Sequence, residues 1–277
     1  MPSLVPDIEN RVRKLPKPSN HAQGRQPLFE AVNNAFYTVE DRFGDEIGKR
    51  GKIRVDVRNI GEEGKLEIDV SDNGIGLDSA RFTAFCTIDT DFKRAKGGKG
   101  VGRLFWLDAF SSVSVASSFI ELESLKNRSF DFVLSYLEQV APTERGVAAM
   151  PIVESGTIVT FKGLRIQPYR DHFPKKGDTL LRYFSSHFIA DFLMGGGPNV
   201  EIDTDGELTK YPAAVSELVV GAAMETGPFE LLEFGALSMR GFACRATAST
   251  GLDCPLCQGC CPLLYFSSIS QVGGIGR

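Results

Sequence analysis

Three short stretches of this chain carry side chains whose types and spacing could do chemistry. In PLFEAVNNAF, residues 27–36, Glu30 and Asn34 stand one helical turn apart, on the face opposite Leu28, Val32 and Phe36. An amide oxygen is a hard, neutral ligand suited to Mg²⁺ carried in by a polyphosphate. A carboxylate one turn away could hold and deprotonate an attacking water. Taken singly, the pair reads first as an exposed Glu and Asn on an ordinary amphipathic helix. In VSDNGIG, residues 70–76, Asp72 ends an alternating stretch and is followed by Gly74 and Gly76, which let backbone come close to whatever the carboxylate holds. An ionised carboxylate only accepts hydrogen bonds, so it selects an amine edge, such as the exocyclic nitrogen of adenine, over a carbonyl. The same letters also make a plain turn. In GGKGVGRLFW, residues 97–106, Gly97, Gly98, Gly100 and Gly102 precede an apolar run and can offer backbone N–H groups to phosphate, with Lys93, Arg94, Lys96, Lys99 and Arg103 nearby. The spacing is neither a P-loop nor the dinucleotide fingerprint, and a solubilising charged loop is the alternative reading.

The surrounding elements must place these groups. PLFEAVNNAFYTVEDRF puts Leu28, Val32, Ala35, Phe36, Val39 and Phe43 at helical spacing behind a proline, so a helix with one apolar face is predicted. KIRVDVRNI and KLEIDVSDN alternate apolar and polar around GEEG, which predicts an antiparallel hairpin ending at Asp72. DSARFTAFC begins a helix that gives way to a charged loop from about Thr87. GVGRLFWLDAF runs from glycines into a helix and then a strand, with Trp106 as core. RSFDFVLSYLEQV and SGTIVTFKGL supply further strands of a mixed or antiparallel sheet. DTLLRYFSSHFIADFLMGGG is a second strong helix, with Asp178 as its cap and Leu181, Phe184, Phe188 and Phe192 on one face; NVEIDTDGELTKY is a hairpin with an Asp-Gly turn.

In this order and at these separations, Glu-x-x-x-Asn, strand-Asp-x-Gly-x-Gly, a charged loop ending in GxxGxG, and SGTIVTF resemble the GHKL ATPase superfamily over residues 25–210. That superfamily holds the Hsp90 chaperones, MutL, the type II topoisomerase B subunits, MORC proteins and sensor histidine kinases. The wording of residues 82–107 is similar to bacterial Hsp90-like ATP-binding proteins. The resemblance implies an α+β fold, a two-layer sandwich of the Bergerat type with a mixed, largely antiparallel sheet. It implies Mg²⁺-dependent binding of ATP, with hydrolysis coupled to lid closure and homodimerisation. By the same resemblance Glu30 is the general base, Asn34 the Mg²⁺ ligand, and Asp72 the adenine anchor above a floor shaped by Gly74 and Gly76. Gly98, Lys99, Gly100, Val101 and Gly102 are the phosphate-contacting end of the lid, and Thr157 assists Asp72. Two other functions remain open: a nucleotide sensor that never hydrolyses, and a histidine-kinase-type catalytic domain. The early histidine, His21, sits in a proline-broken stretch, so hydrolysis fits better than phosphorelay.

Composition bounds the rest. The chain has 277 residues, 42% hydrophobic, and a net charge of −4, so no overall bias toward nucleic acid exists and anion chemistry must be local. No apolar run approaches the roughly 18 residues of a membrane span, and the first residues lack the apolar core of a signal peptide, which makes a cytoplasmic protein the expectation. Residues 1–27 read as an extended arm, residues 28–210 as the ATP-binding domain, and residues 211–277 as an incomplete transducer-like segment. The missing part of a transducer leads us to expect weak or no turnover from this chain by itself. Of six cysteines, five lie from Cys244 onward. Cys254, Cys257 and Cys260, with Cys244 and Cys261, have spacing that could hold zinc or an iron–sulfur cluster. The favoured alternative is a truncated or frame-shifted end without a selected fold.

Overall fold

The computed structural model describes residues 7–88, 102–135, 139–142, 155–193, 196–216, 224–231, 235–243 and 263–269, the last three ranges by their backbone. The chain divides into two compact units, Met1–Leu181 with Gly195–Lys210, and Arg182–Met194 with Tyr211–Arg277.

In the first unit the chain enters through α1 (Ile8–Arg13) and α2 (His21–Gly24), then α3 (Gln26–Phe43) and the short α4 (Ile47–Arg50). Next come β1 (Lys52–Arg58), β2 (Glu67–Asp72), α5 (Ser79–Cys86), α6 (Leu104–Ala109), β3 (Phe110–Glu121), β4 (Ser124–Phe132) and β5 (Val140–Pro142). They are followed by β6 (Gly156–Leu164), α7 (Gln167–His172), α8 (Gly177–Leu193), which runs on into the second unit, β7 (Asn199–Thr204) and β8 (Glu207–Tyr211). The strands form one 8-stranded sheet in the order β5-β4-β3-β6-β2-β1-β7-β8. Pairs β1–β2, β2–β6, β3–β6, β3–β4 and β4–β5 are antiparallel, and β1–β7 is parallel. The fold is therefore α+β with a mixed, largely antiparallel sheet.

Register turns the alternating sequences into rows across the sheet. Ile202, Val55, Val70, Val159 and Val115 form one row, and Thr204, Val57, Ile68, Phe161 and Val113 the next. Helix α3 packs on this face, over β1, β2 and β6, with Leu28, Phe29, Ala31, Val32, Ala35 and Val39 buried. Each large side chain so buried contributes about 1.5–3 kcal/mol. The other face is wet and charged: Arg54 pairs with Asp56, Glu201 and Asp203, and Arg58 with Glu67 and Asp69. One face covered and one open is the pattern an antiparallel sheet with clean alternation allows.

Residues 7–27 are not an extended arm. Asp7 caps α1 and Asn20 caps α2, while Ile8 and Val12 are buried. Gly24 lies so close to the His172 carbonyl that a Cβ would fall 2.5 Å from its oxygen. Local capping and two apolar residues at helical spacing outweigh the prolines. Helix α8 begins one residue before Asp178, which sits in its first turn rather than at the cap. The inward residue near its start is Leu180, 1% exposed, and not Leu181.

In the second unit the α8 residues Phe184, Phe188 and Phe192 cluster with Tyr211, whose hydroxyl is 2.9 Å from Ser185 Oγ. The short α9 (Ala213–Ser216) follows, and β9 (Met224–Leu231), β10 (Gly235–Ala243) and β11 (Leu263–Ile269) form an antiparallel sheet in the order β11-β10-β9. A paired strand thus stands at 263–269, where no selected element was expected. The five late cysteines lie outside the described residues.

Candidate functional site

The third row of the covered face begins apolar, with Val200 and Ile53, and then turns polar on three neighbouring strands: Asp72, Thr157 and Ser117. All three are at most 9% exposed. Burying such groups costs free energy unless they are bonded, and here each is. Asp72 Oδ1 accepts from the Gly74 amide at 2.7 Å and lies 3.2 Å from Thr38 Oγ1. Ser117 Oγ accepts from the Leu77 amide at 2.8 Å, donates to the Gly156 carbonyl at 2.9 Å, and is 3.1 Å from Thr157 Oγ1.

The turn after Asp72 is pinned from several sides. Arg42 of α3 donates to the carbonyls of Asn73 and Ser155, at 2.6 and 3.0 Å. Asn73 itself bridges the Lys52 amide and the Arg50 carbonyl, and Ser155 Oγ donates to the Gly74 carbonyl. Side chains are excluded at three positions. A Cβ on Gly74 would fall 2.5 Å from Thr38 Oγ1, on Gly76 2.2 Å from the Ser118 carbonyl oxygen, and on Gly156 2.1 Å from the Asp72 carbonyl oxygen. Gly76 also has φ +79°, which glycine adopts without strain.

Helix α3 carries Glu30, Asn34 and Thr38 at successive i, i+4 positions, a column about 12 Å long with Thr38 at the Asp72 end. Asn34 Nδ2 is 3.4 Å from Glu30 Oε1. Gly102 lies against this pair, since a Cβ there would fall 2.0 Å from the Glu30 Cδ and Oε1 atoms. The chain on either side of 89–101 is drawn together: Arg103 donates to the Thr87 carbonyl at 2.6 Å and covers the Phe85 ring. Behind it α6 is fixed by Trp106, whose indole N–H donates to the Pro27 carbonyl, and by buried Asp108, whose Oδ1 is 2.5 Å from Lys17 Nζ. Burial, with the Asp108 carboxylate close by, pushes the Tyr169 phenol above its ordinary range.

Of the sequence-predicted residues, Glu30 and Asn34 are thus adjacent on α3, and Asp72 and Thr157 are adjacent across β2 and β6. Gly74 and Gly76 form the turn between, and Gly102 abuts Glu30. Gly98, Lys99, Gly100 and Val101 lie outside the described residues. Sequence reasoning missed Thr38, Arg42, Ser117 and Gly156. Two signals pointed at them: Thr38 continues the i, i+4 column, and Ser117 ends the alternation Val113, Val115 with a hydroxyl, as Asp72 ends Ile68, Val70. A separate cleft of about 450 Å³, lined among others by Glu9, Leu107, Phe110, Asp131, Phe132 and Arg165, lies toward the far end of β3 and contains none of these groups. Among the described residues no helix is long and apolar enough to cross a membrane.

A solved structure similar to this chain is the Aquifex aeolicus MutL ATPase domain complexed with ADP, at 16% identity over 80% of this chain and 77% of that one, with a TM-score of 0.44. No protein-family model matches the chain, and no curated protein matches it.

Proposed function

We propose that the first unit is a GHKL-type domain that binds ATP with Mg²⁺. Hydrolysis would be coupled to closure of the segment from Thr87 to Gly102 and to dimerisation. The observation that carries this reading is the polar interruption of an apolar face by Asp72, Thr157 and Ser117, set beside a turn whose glycines leave no room for side chains. Thr38 and the Gly74 amide fix the direction of the Asp72 carboxylate, which then favours an amine edge such as that of adenine. A base held there has the Asn34 and Glu30 end of the α3 column within reach of its phosphates.

The oxygen donors at that end fit a hard divalent cation. Among the described residues no group of three or more His, Cys, Asp or Glu side chains could hold a metal ion by itself, and phosphate oxygens and waters would supply the remaining ligands. Mg²⁺, when bound, neutralises phosphate charge. Asn34 would hold it through the amide oxygen, and Glu30 would hold a water and take its proton. Gly102, without a side chain, leaves the Glu30 carboxylate its place. The glycines from Gly98 to Gly102 would offer amides to the phosphates.

Calorimetric titration with ATP, with and without Mg²⁺, tests the reading on the wild type and on Asn34→Ala. Mg²⁺ is expected to strengthen wild-type binding by about tenfold or more, and the variant to lose that gain while keeping its Mg²⁺-free affinity. An equal gain in both proteins refutes the role of Asn34; absence of ATP binding refutes the function.

A further inference from the structure

The β3–β4 ladder runs from Glu121↔Ser124 at the hairpin turn to Ser114↔Asp131, and beyond that rung the strands part. β3 continues back to Phe110 beside β6, while β4 turns to β5 through Phe132↔Val140 and the Val133 amide, which donates to the Gln139 carbonyl. The cleft of about 450 Å³ opens at this parting, with Leu107, Phe110, Val113, Phe132 and Leu134 as its apolar lining. Arg165 stands at the outer end, since its amide bonds the Ala109 carbonyl one residue before β3 begins. Its Nη1 donates to the Leu107 carbonyl at 2.7 Å, and among the described residues it makes no ion pair. Of the acids in the lining, Glu9 is paired with Arg13, and Asp131 lies on the last rung, at the inner end. The opposite end of the same two strands is an apolar knob. Of the four exposed large apolar side chains among the described residues, three are here: Ile120 at 62%, Leu122 at 88% and Leu125 at 37%. Ile120 and Leu125 are cross-strand partners, so they lie side by side on one face. Leu122 and Glu123 are the central residues of a two-residue turn, and both have positive φ, 52° and 61°. Asparagine and glycine hold such a turn at lower cost, so folding alone does not account for a leucine there. Glu121 is engaged by Lys126 and the Ser79 amide, whereas Glu123 makes no ion pair among the described residues.

We propose that this hairpin tip docks into the cleft of a second copy of the chain. A whole hairpin is too wide to enter. The Leu122 side chain goes in against the apolar lining, and Glu123 stays at the mouth beside Arg165 of the second copy, so each unpaired charge meets its opposite. Ile120 and Leu125 then lie against the rim. Knob and cleft are different surfaces at opposite ends of one pair of strands, so the contact is head-to-tail. Each docked pair keeps one free knob and one free cleft, and association continues into short chains instead of stopping at a symmetric dimer. One leucine and one rim ion pair make a weak contact, with a Kd on the order of 100 µM. The inference goes beyond the ATP reading and uses no residue of the base site.

Sedimentation velocity of the full chain without nucleotide, from about 10 to 500 µM, reads the association. The wild-type sedimentation coefficient is expected to climb steadily across that range. Leu122→Asp removes the knob, and Ser112→Trp, at an exposed position in the lining, fills the cleft; each variant alone stays monomeric. An equimolar mixture of the two forms a 1:1 dimer and nothing larger, because one supplies the only working cleft and the other the only working knob. Arg165→Glu also stays monomeric, and adding Glu123→Arg to it restores association. Ser112→Trp leaves the Arg165–Leu107 bond intact, so it reads the cleft even if Arg165→Glu folds poorly. A wild type that remains monomeric at the highest concentration overturns the inference. Association that survives Ser112→Trp, or that the mixture of variants fails to restore, assigns the contact to tip meeting tip and overturns it equally.

Discussion

Substituting alanine for Gly76 separates backbone conformation from close packing at the proposed base site. The new Cβ would sit 2.2 Å from the Ser118 carbonyl oxygen and 3.0 Å from Phe119 Cβ. Ser118 belongs to β3, which is hydrogen-bonded between β4 and β6, so it is the 73–77 turn that must withdraw, by roughly 0.8 Å, to reach the closest contact real Cβ atoms show. That movement strains the Leu77–Ser117 and Ser155–Gly74 bonds, each worth about 1 kcal/mol net. The φ of +79° adds about 1–2 kcal/mol for a non-glycine residue. The expected loss is about 2–4 kcal/mol in urea unfolding, or about 5–15 °C in Tm, with ATP affinity falling at least tenfold. Gly206 supplies the control: its φ is +96° and a Cβ there would meet nothing within 4 Å. Gly206→Ala should show the conformational cost of about 1–2 kcal/mol and unchanged ATP binding. Equal losses in the two variants, or wild-type ATP affinity in Gly76→Ala, would refute the close-packed turn as part of the site.

Three further perturbations test other parts of the account. Gly102→Ala should push the Glu30 carboxylate aside by more than about 1 Å and lower whatever single-turnover ATP hydrolysis the protein shows by about a hundredfold, with ATP affinity within about threefold of wild type; a wild-type rate would show that this placement of Glu30 is not used. Lys17→Met leaves the Asp108 carboxylate, 4% exposed, without its cation and should cost about 2–4 kcal/mol in urea unfolding, discounted for the partly exposed lysine, while Lys17→Met with Asp108→Leu recovers most of it. A stable single variant would mean that the N-terminal segment is not anchored through this pair. Cys86 is exposed, but its thiol is partly desolvated by its neighbours, and this raises it, outweighing Arg103 and Arg128, so the thiolate is scarcer than in a free thiol at any pH below the raised value. Alkylation followed on the Cys86 peptide should therefore lag a free thiol at pH 8 and accelerate as pH climbs beyond the ordinary thiol range; faster reaction at pH 7 contradicts the assignment.

Much of the site was legible in the sequence because it lies where periodic patterns stop. Alternation in KLEIDVSDN put Asp72 on the same face as Ile68 and Val70, and the register of β2 with β6 then set Thr157 beside it. Helical spacing put Glu30 over Asn34. What the sequence did not give was the third strand of the row. Ser117 continues the inward alternation of Val113 and Val115 in SSVSVASS, but only the alignment of β3 with β6 sets it beside Thr157. Arg42 was equally hidden, because its partners are backbone carbonyls 31 and 113 residues away. The N-terminal stretch misled for the opposite reason. Its prolines and basic residues signal a loop, and what they do not show is the burial of Ile8 and Val12 and the long-range contacts of Lys17 with Asp108 and of His21 with the His172 carbonyl.

The central claim is that Asp72 reads the amine edge of adenine, and titration of Asp72→Asn with ATP and with inosine triphosphate tests it most directly. Replacing an acceptor-only carboxylate with an amide removes a charge-assisted bond, so ATP binding should weaken by about 10- to 150-fold, while the 6-carbonyl of inosine, opposed by the carboxylate, should gain relative to ATP. Unchanged ATP affinity, with no shift in preference between the two nucleotides, would contradict the account.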